Sequence, residues 1–490
     1  MVTIASFIEN SKVMLKPDNK RIILRPFIPR SELQITNIIS RVMSLTEDAV
    51  KNLLKTVMND FSGRHSNIEP TFFEHYKMVH PHLFTDLQPS KERKLLIGSY
   101  FTCEYSFESA ALFNPSIVPH PDQSNLPEGT LRFVMSLRAV GEGHISSLTF
   151  RTGTIDKNCS VILDAPGKHT ISAKHVENSF YDKLCFRKKL TEMGIENDFS
   201  VCVLDSLKDE FTFLELLYNL KEVTCNNSRV KSSTDKFTND KILWLALSNY
   251  ETQLPASNVL SDLVIFPTSP AEQNGIEDTR LVLFTDDEGR KTYYGTYTAY
   301  DGKVVLPQLL ETKDFNHFKM ITLNGKAVEN KGMALFPRKI NGKYAMISRQ
   351  DNENLFLMYS DNIHFWHETH LIMKPTYEWE FVQIGNCGSP IETDAGWIVL
   401  THGIGPVRRY CISAVLLDKQ DPSRVIGRLK EPLIMPDETE MAGYVPNVVY
   451  TCGALIHNEK LILPYAMSDN ITTVAVIDLK KLLIELKTTK

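Results

Sequence analysis

Three charged side chains open a strand that otherwise has a buried, apolar composition. They belong to the segment Glu277-Asp278-Thr279-Arg280, which continues into the apolar run Leu281–Phe284. A buried carboxylate beside an arginine requires pairing, and its environment can shift its pKa far enough for acid–base chemistry. The segment therefore predicts a catalytic or binding carboxylate. The alternative is a structural ion pair where a strand leaves a turn.

Four further groups of polar side chains lie at or near the ends of apolar strands. Two of them have a structural alternative, which is an edge strand with a solvent-facing arginine for Arg138 and a purely structural histidine for His402. In chain order these groups are Arg138 with Glu142-Gly143-His144, His402 with Arg408-Arg409, Glu440 with Tyr444 and Asn447, and Asp469.

This set of residue types is typical of sugar-binding sites. Carboxylates accept hydrogen bonds from hydroxyl pairs, and arginine and asparagine bridge them. Glycoside hydrolysis also requires one protonated acid and one base. The sequence contains no GxSxG, Walker, GxGxxG or HExxH motif that would indicate another chemistry.

The composition of the chain further narrows the classes of protein to which it can belong. The chain has 490 residues and a formal net charge of -5, which argues against nucleic acid as the main partner. Its eight cysteines form no CxxC pair, so we expect neither a structural zinc site nor another metal. We recognise no signal peptide and no apolar run long enough to span a membrane, and we therefore expect a cytoplasmic protein without a membrane partner.

Short strands alternate with turn signals from about residue 95, and five polar or proline-bearing clusters recur among them. The last four clusters begin at residues 277, 335, 387 and 445. A propeller blade of four strands needs roughly 40–50 residues, and more with loops. The spacing predicts a five-bladed β-propeller, with an irregular β-sandwich as the alternative. The clusters are 113–116, 277–280, 335–338, 387–390 and 445–448.

Two stretches have helical periodicity instead. Ser31 and Thr46 are suitable N-caps for two amphipathic helices, and a third helix is predicted after Pro70. The first two clusters are too far apart for one blade, and the residues between them include a helix-like segment. We therefore predict an all-β fold with a helical extension at 1–90, a catalytic propeller at 91–490 and a helical insertion at about 170–225. The apolar stripes of the extension require a partner, which is either the main domain or a second copy of the chain.

The clusters, in this order, resemble glycoside hydrolase family 130, the β-mannoside phosphorylases and β-1,2-mannosidases. The similarity runs from about residue 110 to 480. Its most specific parts are Gly388–Thr393, Asp421–Ile426, Gly443–Val449 and Pro464–Asp469. The resemblance implies a five-bladed propeller that cleaves β-mannosides with inversion and needs no cofactor. It also implies that Asp278 is the general acid, although Thr279 replaces the proline usual in that motif.

The resemblance also implies roles for other residues. Asn114, Arg138 and Asp469 fall where the family contacts the mannose ring, and Lys331 and Arg349 fall near its phosphate-binding positions. We expect Glu277, Arg280, His402, Tyr444 and Asn447 to line the substrate site, with Arg409 as a further phosphate ligand.

The reaction itself remains open between hydrolysis and phosphorolysis. An inverting hydrolase needs a base, for which Glu440 and Glu392 are candidates. A phosphorylase uses inorganic phosphate as co-substrate and needs cations to hold it. The sequence favours hydrolysis of β-1,2-mannosides from the non-reducing end, with phosphorolysis to mannose 1-phosphate and a non-catalytic mannoside-binding propeller as alternatives.

Overall fold

The first elements of the described chain are two strands, where the sequence predicted helices. The structure, a computed structural model, describes residues 6–85, 87–226, 233–255, 259–437 and 443–488. Strand β1 spans Ile8–Leu15 and β2 spans Ile22–Pro26. In β1, Ile8 lies opposite Ile477 in an antiparallel ladder. Because this partner is so distant in sequence, local periodicity could not reveal the strand.

A four-helix cluster follows and contains the predicted helices. Ser31 and Thr46 are the N-caps of the first two helices, and their hydroxyls accept from the backbone N–H groups of Gln34 and Ala49. The third helix begins two residues before Pro70, and the fourth was not predicted. The helices are α1 Glu32–Met43, α2 Glu47–Phe61, α3 Ile68–Val79 and α4 Lys91–Tyr100.

The first antiparallel unit follows the helices. Strand β3 (Thr102–Ser106) pairs with β2. The next four strands form a meander in which β4 pairs with β5, β5 with β6 and β6 with β7. The meander contains β4 Ala111–Pro119, β5 Leu131–Val140, β6 Ser146–Ile155 and β7 Val161–Leu163.

The predicted insertion is present and is longer than expected. Its four helices build a separate hydrophobic cluster, and the last of them reaches Ser248 instead of ending near residue 225. In chain order the insertion contains β8 Ile171–Ser172, β9 Lys174–His175, β10 Phe180–Asp182, α5 Lys183–Glu192, α6 Asp198–Asp205, β11 Glu210–Thr212, α7 Phe213–Asn226, α8 Ser233–Ser248, β12 Tyr250–Gln253 and β13 Leu263–Ile265.

Four more antiparallel units complete the described chain. The second unit is β14 Gly275–Thr285, β15 Lys291–Tyr300, β16 Val305–Thr312 and β17 His317–Thr322. The third unit is β18 Ala334–Leu335, β19 Tyr344–Ser348, β20 Leu355–Ser360 and β21 Glu368–Met373. The fourth unit is β22 Gln383–Asn386, β23 Ile391–Thr393, β24 Gly396–Ile404, β25 Tyr410–Leu417 and β26 Val425–Arg428. The fifth unit is β27 Val449–Tyr450, β28 Leu455–His457, β29 Lys460–Met467 and β30 Ile471–Asp478, before α9 Leu479–Thr488.

The fifth unit also includes the first strand of the chain, because β1 pairs with β30. The described residues thus form a predominantly β fold with helical additions, which agrees with the predicted class. The number of antiparallel units equals the number of predicted blades, while their arrangement around one axis stays a prediction. None of the described helices combines the length and the hydropathy that crossing a bilayer requires.

Candidate active site

Asp278 and Asn114 meet where two strands are interrupted by β-bulges. The pairing of β14 with β15 shifts register between Glu277 and Arg280, and that of β4 with β5 shifts between Phe113 and Ser116. Asn114 and Asp278 have φ values of 49° and 53°, in the left-handed region that asparagine and aspartate tolerate better than other side chains. The bulges turn both side chains toward each other, and Asn114 Nδ2 donates to Asp278 Oδ1 at 2.7 Å.

Two arginines fix the ionisation state of Asp278. Arg138 Nη1 donates to Asp278 Oδ1 at 3.3 Å, and Arg280 Nη2 lies 3.8 Å from Asp278 Oδ2. Burial alone would raise the pKa of Asp278, but the positive charges of these arginines outweigh it and lower that pKa to about 2. The carboxyl of Asp278 is therefore ionised at neutral pH in the unliganded site.

Glu277 extends the same charge network. Its Oε1 accepts from Arg138 Nη2 at 3.0 Å, and its Oε2 pairs with the ammonium of Lys331. Lys331 precedes the third unit, so this ion pair joins the second unit to the third. The Lys331 side chain remains 35% exposed, which leaves part of the ammonium accessible to a ligand.

Arg280 connects three units at the centre of the site. It is 1% exposed. Its Nε donates to the Cys387 carbonyl at 3.0 Å, and its Nη2 donates to the Tyr450 hydroxyl at 2.9 Å. Since Cys387 lies in the fourth unit and Tyr450 in the fifth, the predicted substrate residue Arg280 also has a positioning role.

Asp469 is the second carboxylate of the site. It lies in the turn after β29, where Ser468 and Asp469 have φ values of 50° and 48°. Burial and the negative charge of Asp278 raise the pKa of Asp469 to about 7, although Arg138 and Arg408 oppose that shift. Two carboxyls of one site thus have widely separated pKa values, a pattern that is common in acid–base catalysis.

Tyr444 and Asn447 lie on the loop that borders the turn of Asp469. The backbone N–H of Val445 donates to the Ser468 carbonyl at 3.0 Å, and the Asn447 carbonyl accepts from Tyr410 N–H at 3.0 Å. Asn447 has a φ of 62°. The Tyr444 hydroxyl hydrogen-bonds to His144 Nδ1 at 2.7 Å, which joins two loops that are distant in sequence.

Arg349 belongs, with Lys331 and Arg280, to the cationic side of the site. His402 lies beside Arg349, because both side chains approach Gly385. The aliphatic part of Arg349 passes between two glycines, because a Cβ added at Gly332 or Gly385 would lie 2.8 Å from its atoms. The pKa of His402 is well below its usual value because of burial and the nearby charges of Arg349 and Arg280. His402 is therefore neutral, and Arg349 has no carboxylate partner within 4.0 Å among the described residues.

Several buried polar atoms around this side have no hydrogen-bond partner within the described parts of the chain. A buried polar group without a partner is costly, so such atoms indicate a place for a polar ligand or water. They are Asn114 Oδ1, Arg349 Nε, both amide atoms of Asn386, Ser389 Oγ, Thr401 Oγ1 and His402 Nδ1.

Two predicted residues, Arg409 and Glu392, lie away from Asp278, and a third falls outside the described residues. Glu440 falls within residues 438–442, outside the described residues. Arg409 is exposed, and its neighbour Arg408 is the one whose charge acts on Asp469. Glu392 is held by Arg338 and Lys419 at 2.8 and 3.5 Å and has no contact with the residues around Asp278.

Asn386 and Tyr450 were not predicted by sequence reasoning. Asn386 is fully buried and precedes Cys387, whose carbonyl binds Arg280. It adjoins one of the recurrent clusters, and that proximity is the signal that could have identified it. Tyr450 follows another cluster in the same way.

The chain matches the model of glycoside hydrolase family 130, described as beta-1,4-mannooligosaccharide phosphorylase, over residues 256–488. A 1,2-beta-oligomannan phosphorylase of Thermoanaerobacter sp. (strain X514) is 34% identical over 217 residues, which cover 43% of this chain and 70% of that protein. A beta-1,2-mannobiose phosphorylase of Listeria innocua is 32% identical over 223 residues, which cover 44% of this chain and 61% of that protein.

Among solved structures, the complex of beta-1,2-mannobiose phosphorylase from Listeria innocua with beta-1,2-mannobiose aligns over 78% of this chain and 93% of that chain. Its TM-score is 0.47 and its sequence identity is 19%. The sequence matches establish an enzyme of the glycosidase and glycoside-phosphorylase class. The chain belongs to glycoside hydrolase family 130.

Proposed function

We propose that this enzyme is an inverting β-mannoside phosphorylase that transfers a terminal mannosyl residue to inorganic phosphate and releases mannose 1-phosphate. The observation that carries the proposal is the cationic side formed by Arg349, Lys331 and Arg280 beside Asp278. A phosphate dianion needs such cations, and arginine binds it in a bidentate manner. The names of the relatives, which are mannoside phosphorylases, support the same reaction.

This proposal replaces the hydrolysis that the sequence favoured. Hydrolysis requires a base that activates water, whereas phosphate is itself a nucleophile. Among the described residues, the candidate base Glu392 is engaged by two cations. Phosphorolysis also balances without a separate base. A phosphate oxygen bonds to the anomeric carbon while the glycosidic C–O bond breaks on the opposite face, Asp278 passes a proton to the leaving oxygen, and the proton of HPO₄²⁻ replaces the one that Asp278 gave up.

The low pKa of Asp278 fits a reaction that begins with phosphate binding. In the unliganded site, Arg138 and Arg280 keep this carboxyl ionised. A bound phosphate dianion would offset these positive charges and raise the pKa of Asp278. Bound phosphate would thus allow Asp278 to take part in the proton transfer to the leaving oxygen. This is the role of general acid that the family resemblance implies for Asp278.

We further propose that the five antiparallel units are the blades of a propeller around this site. Support comes from contacts between the opening segments of different units. Asn114 of the first unit bonds to Asp278 of the second, and Arg280 bonds to the fourth and fifth units. Cys452 N–H donates to the Pro115 carbonyl at 2.7 Å, which brings the fifth unit back to the first.

The proposal is tested by incubating the enzyme with β-1,2-mannobiose in the presence and absence of inorganic phosphate. We expect mannose 1-phosphate and mannose with phosphate, and no turnover without it. Release of free mannose at the same rate in both conditions would establish hydrolysis instead.

A pair of arginine variants locates the phosphate. Since hydrogen bonds to charged groups contribute about 1.5–3 kcal/mol, Arg349→Gln should raise the KM for phosphate by about 10- to 100-fold. Arg409→Gln, which removes an exposed arginine, is the matched control and should leave that KM unchanged. Equal effects in both variants would remove Arg349 from the phosphate site.

A further inference from the structure

A cavity of about 390 Å³ lies between the helical insertion and the outer strands of the second unit. One wall comes from β10 and α5, including Phe180, and the other from β12, β16 and β17. None of the residues that form the Asp278 site lines this cavity. Its volume is within the usual range for small-molecule sites, about 300–1,000 Å³.

The lining contains buried polar atoms that the described part of the protein leaves without partners. Thr322 and Asn324 are each 2% exposed, yet Thr322 Oγ1 and Asn324 Oδ1 have no hydrogen-bond partner there. His364 Nδ1 is also buried and unpaired, and burial lowers the pKa of this histidine, which keeps the ring neutral. Hydroxyl, amide and imidazole groups together offer both donors and acceptors to a neutral polar guest.

The charges of the lining argue against an anionic guest. Lys189 is already bound to Glu192 and to the Leu323 carbonyl, and Lys319 lies 3.9 Å from Glu251. Glu311 forms no ion pair with any described residue, so its carboxylate can accept hydrogen bonds from hydroxyls.

Phe180 completes the set of groups that a sugar requires. Its ring is 69% exposed at the edge of the cavity, although an aromatic side chain of this size is normally buried. An exposed aromatic face next to convergent polar groups suits a guest with one apolar and one hydroxylated side.

We propose that this cavity is a second, non-catalytic binding site for a neutral hexose unit of an oligosaccharide. Thr322, Asn324 and Glu311 bind its hydroxyl groups, and Phe180 packs against the C–H face of its ring. The choice of a mannoside as the guest rests on the proposed function, whereas the site itself is separate from the Asp278 site. The enzyme would thus hold an oligosaccharide at one point while another chain end is cleaved.

Methyl NMR of the full chain with ¹³C-methyl methionine separates the two sites. Met320 lines the cavity, and Met467 precedes Ser468 and Asp469 in the active site. We expect β-1,2-mannotriose, added without phosphate, to shift both methyl signals in a saturable manner. Thr322→Val removes only an unpaired hydroxyl and should preserve the thermal midpoint. It should raise the dissociation constant obtained from the Met320 signal at least tenfold and leave the constant obtained from the Met467 signal unchanged.

Two further variants complete the test. Phe180→Ala changes an exposed side chain and should weaken the Met320 response, whereas Thr312→Val changes an equally buried threonine of β16 outside the cavity and should not. The proposal is overturned if the sugar shifts the Met467 signal and not the Met320 signal. It is also overturned if Thr322→Val and Phe180→Ala both respond like the wild type, or if inorganic phosphate alone shifts the Met320 signal. A Met320 response without any phosphorolysis would instead reject the proposed function and retain the cavity site.

Discussion

The two carboxylates of the site have opposite properties at neutral pH. Asp278, with a pKa of about 2, is ionised, while Asp469, with a pKa of about 7, is half protonated. The difference arises because Arg138 and Arg280 outweigh the effect of burial on Asp278, whereas burial and the charge of Asp278 raise the pKa of Asp469. In the unliganded site Asp278 therefore stays ionised, whereas Asp469 exchanges a proton near physiological pH.

Replacing Asp278 with asparagine should abolish most of the activity. The variant keeps the size of the side chain and removes its charge and basicity, so kcat should fall by about 10²–10⁴-fold. Circular dichroism should remain unchanged, because Arg280 keeps its bonds to Cys387 and Tyr450. Asp287→Asn at an exposed ion pair is the control. Undiminished activity would show that Asp278 does not participate in proton transfer.

Asp469 should introduce a pH dependence into both activity and stability. Its folded pKa of about 7 lies above the usual unfolded value of about 3.9, so the folded state binds more protons between these values. The free energy of unfolding should therefore decrease as pH rises from about 4 to 7 and level off above that range. Asp469→Asn should flatten this slope and remove a transition near pH 7 from kcat/KM. Unfolding in urea at several pH values provides the measurement, and equal slopes in both proteins would contradict the assignment.

Sequence reasoning identified Asn114, Arg138, Asp278 and Asp469, and the structure brings all four together. Asn114 and Asp278 belong to recurrent clusters, and Arg138 and Asp469 lie at or near the ends of apolar strands, so all four are recognisable in the sequence. Arg349 was named as a phosphate ligand only through the family resemblance, and the unpaired amide of Asn386 was not predicted. They depend on glycines and strands from other units, so only the folded chain places them.

At the scale of elements, helix caps were predictable and distant strand pairing was not. Ser31 and Thr46 signal their helices locally, within one turn. Strand β1 has only a weak alternation, and its partner lies at the other end of the sequence. The insertion contains a last helix, α8, that was not predicted, because its apolar residues are spread around the helix instead of forming one stripe.

Packing by β1 can be tested with two adjacent substitutions. Val13 packs on the hydrophobic cluster shared by the first and fifth units, and Lys12 is exposed. Val13→Asp should reduce the free energy of unfolding by about 2 kcal/mol, because it buries a polar group without a partner. Lys12→Asp should have almost no effect. Equal urea midpoints for the two variants would mean that β1 contributes nothing to the fifth unit.

At the scale of the whole molecule, Arg280 joins three antiparallel units through one guanidinium. Its contacts to Asp278, Cys387 and Tyr450 come from separate parts of the sequence. The repeat spacing predicted how many units there are, and the structure adds how their opening segments are tied together.

Replacing Arg280 with methionine should destabilise the protein strongly. Removing one partner from a buried charged network costs about 3–5 kcal/mol, because the remaining polar groups lose their partners. Arg290→Met removes a guanidinium that is 74% exposed and should change the free energy of unfolding very little. Urea unfolding compares the two, and similar losses would show that Arg280 does not hold the units together.

The pairing of β1 with β30 also governs how the protein is made. A ribosome releases Ile8 long before it has synthesised Ile477, the residue opposite it. Throughout that interval the first strand has no ladder partner, and an unpaired strand edge is prone to associate with other chains. The sheet of the fifth unit can therefore form completely only after residue 478 has been translated. Until then, chaperones that bind nascent chains would shield the N-terminal segment.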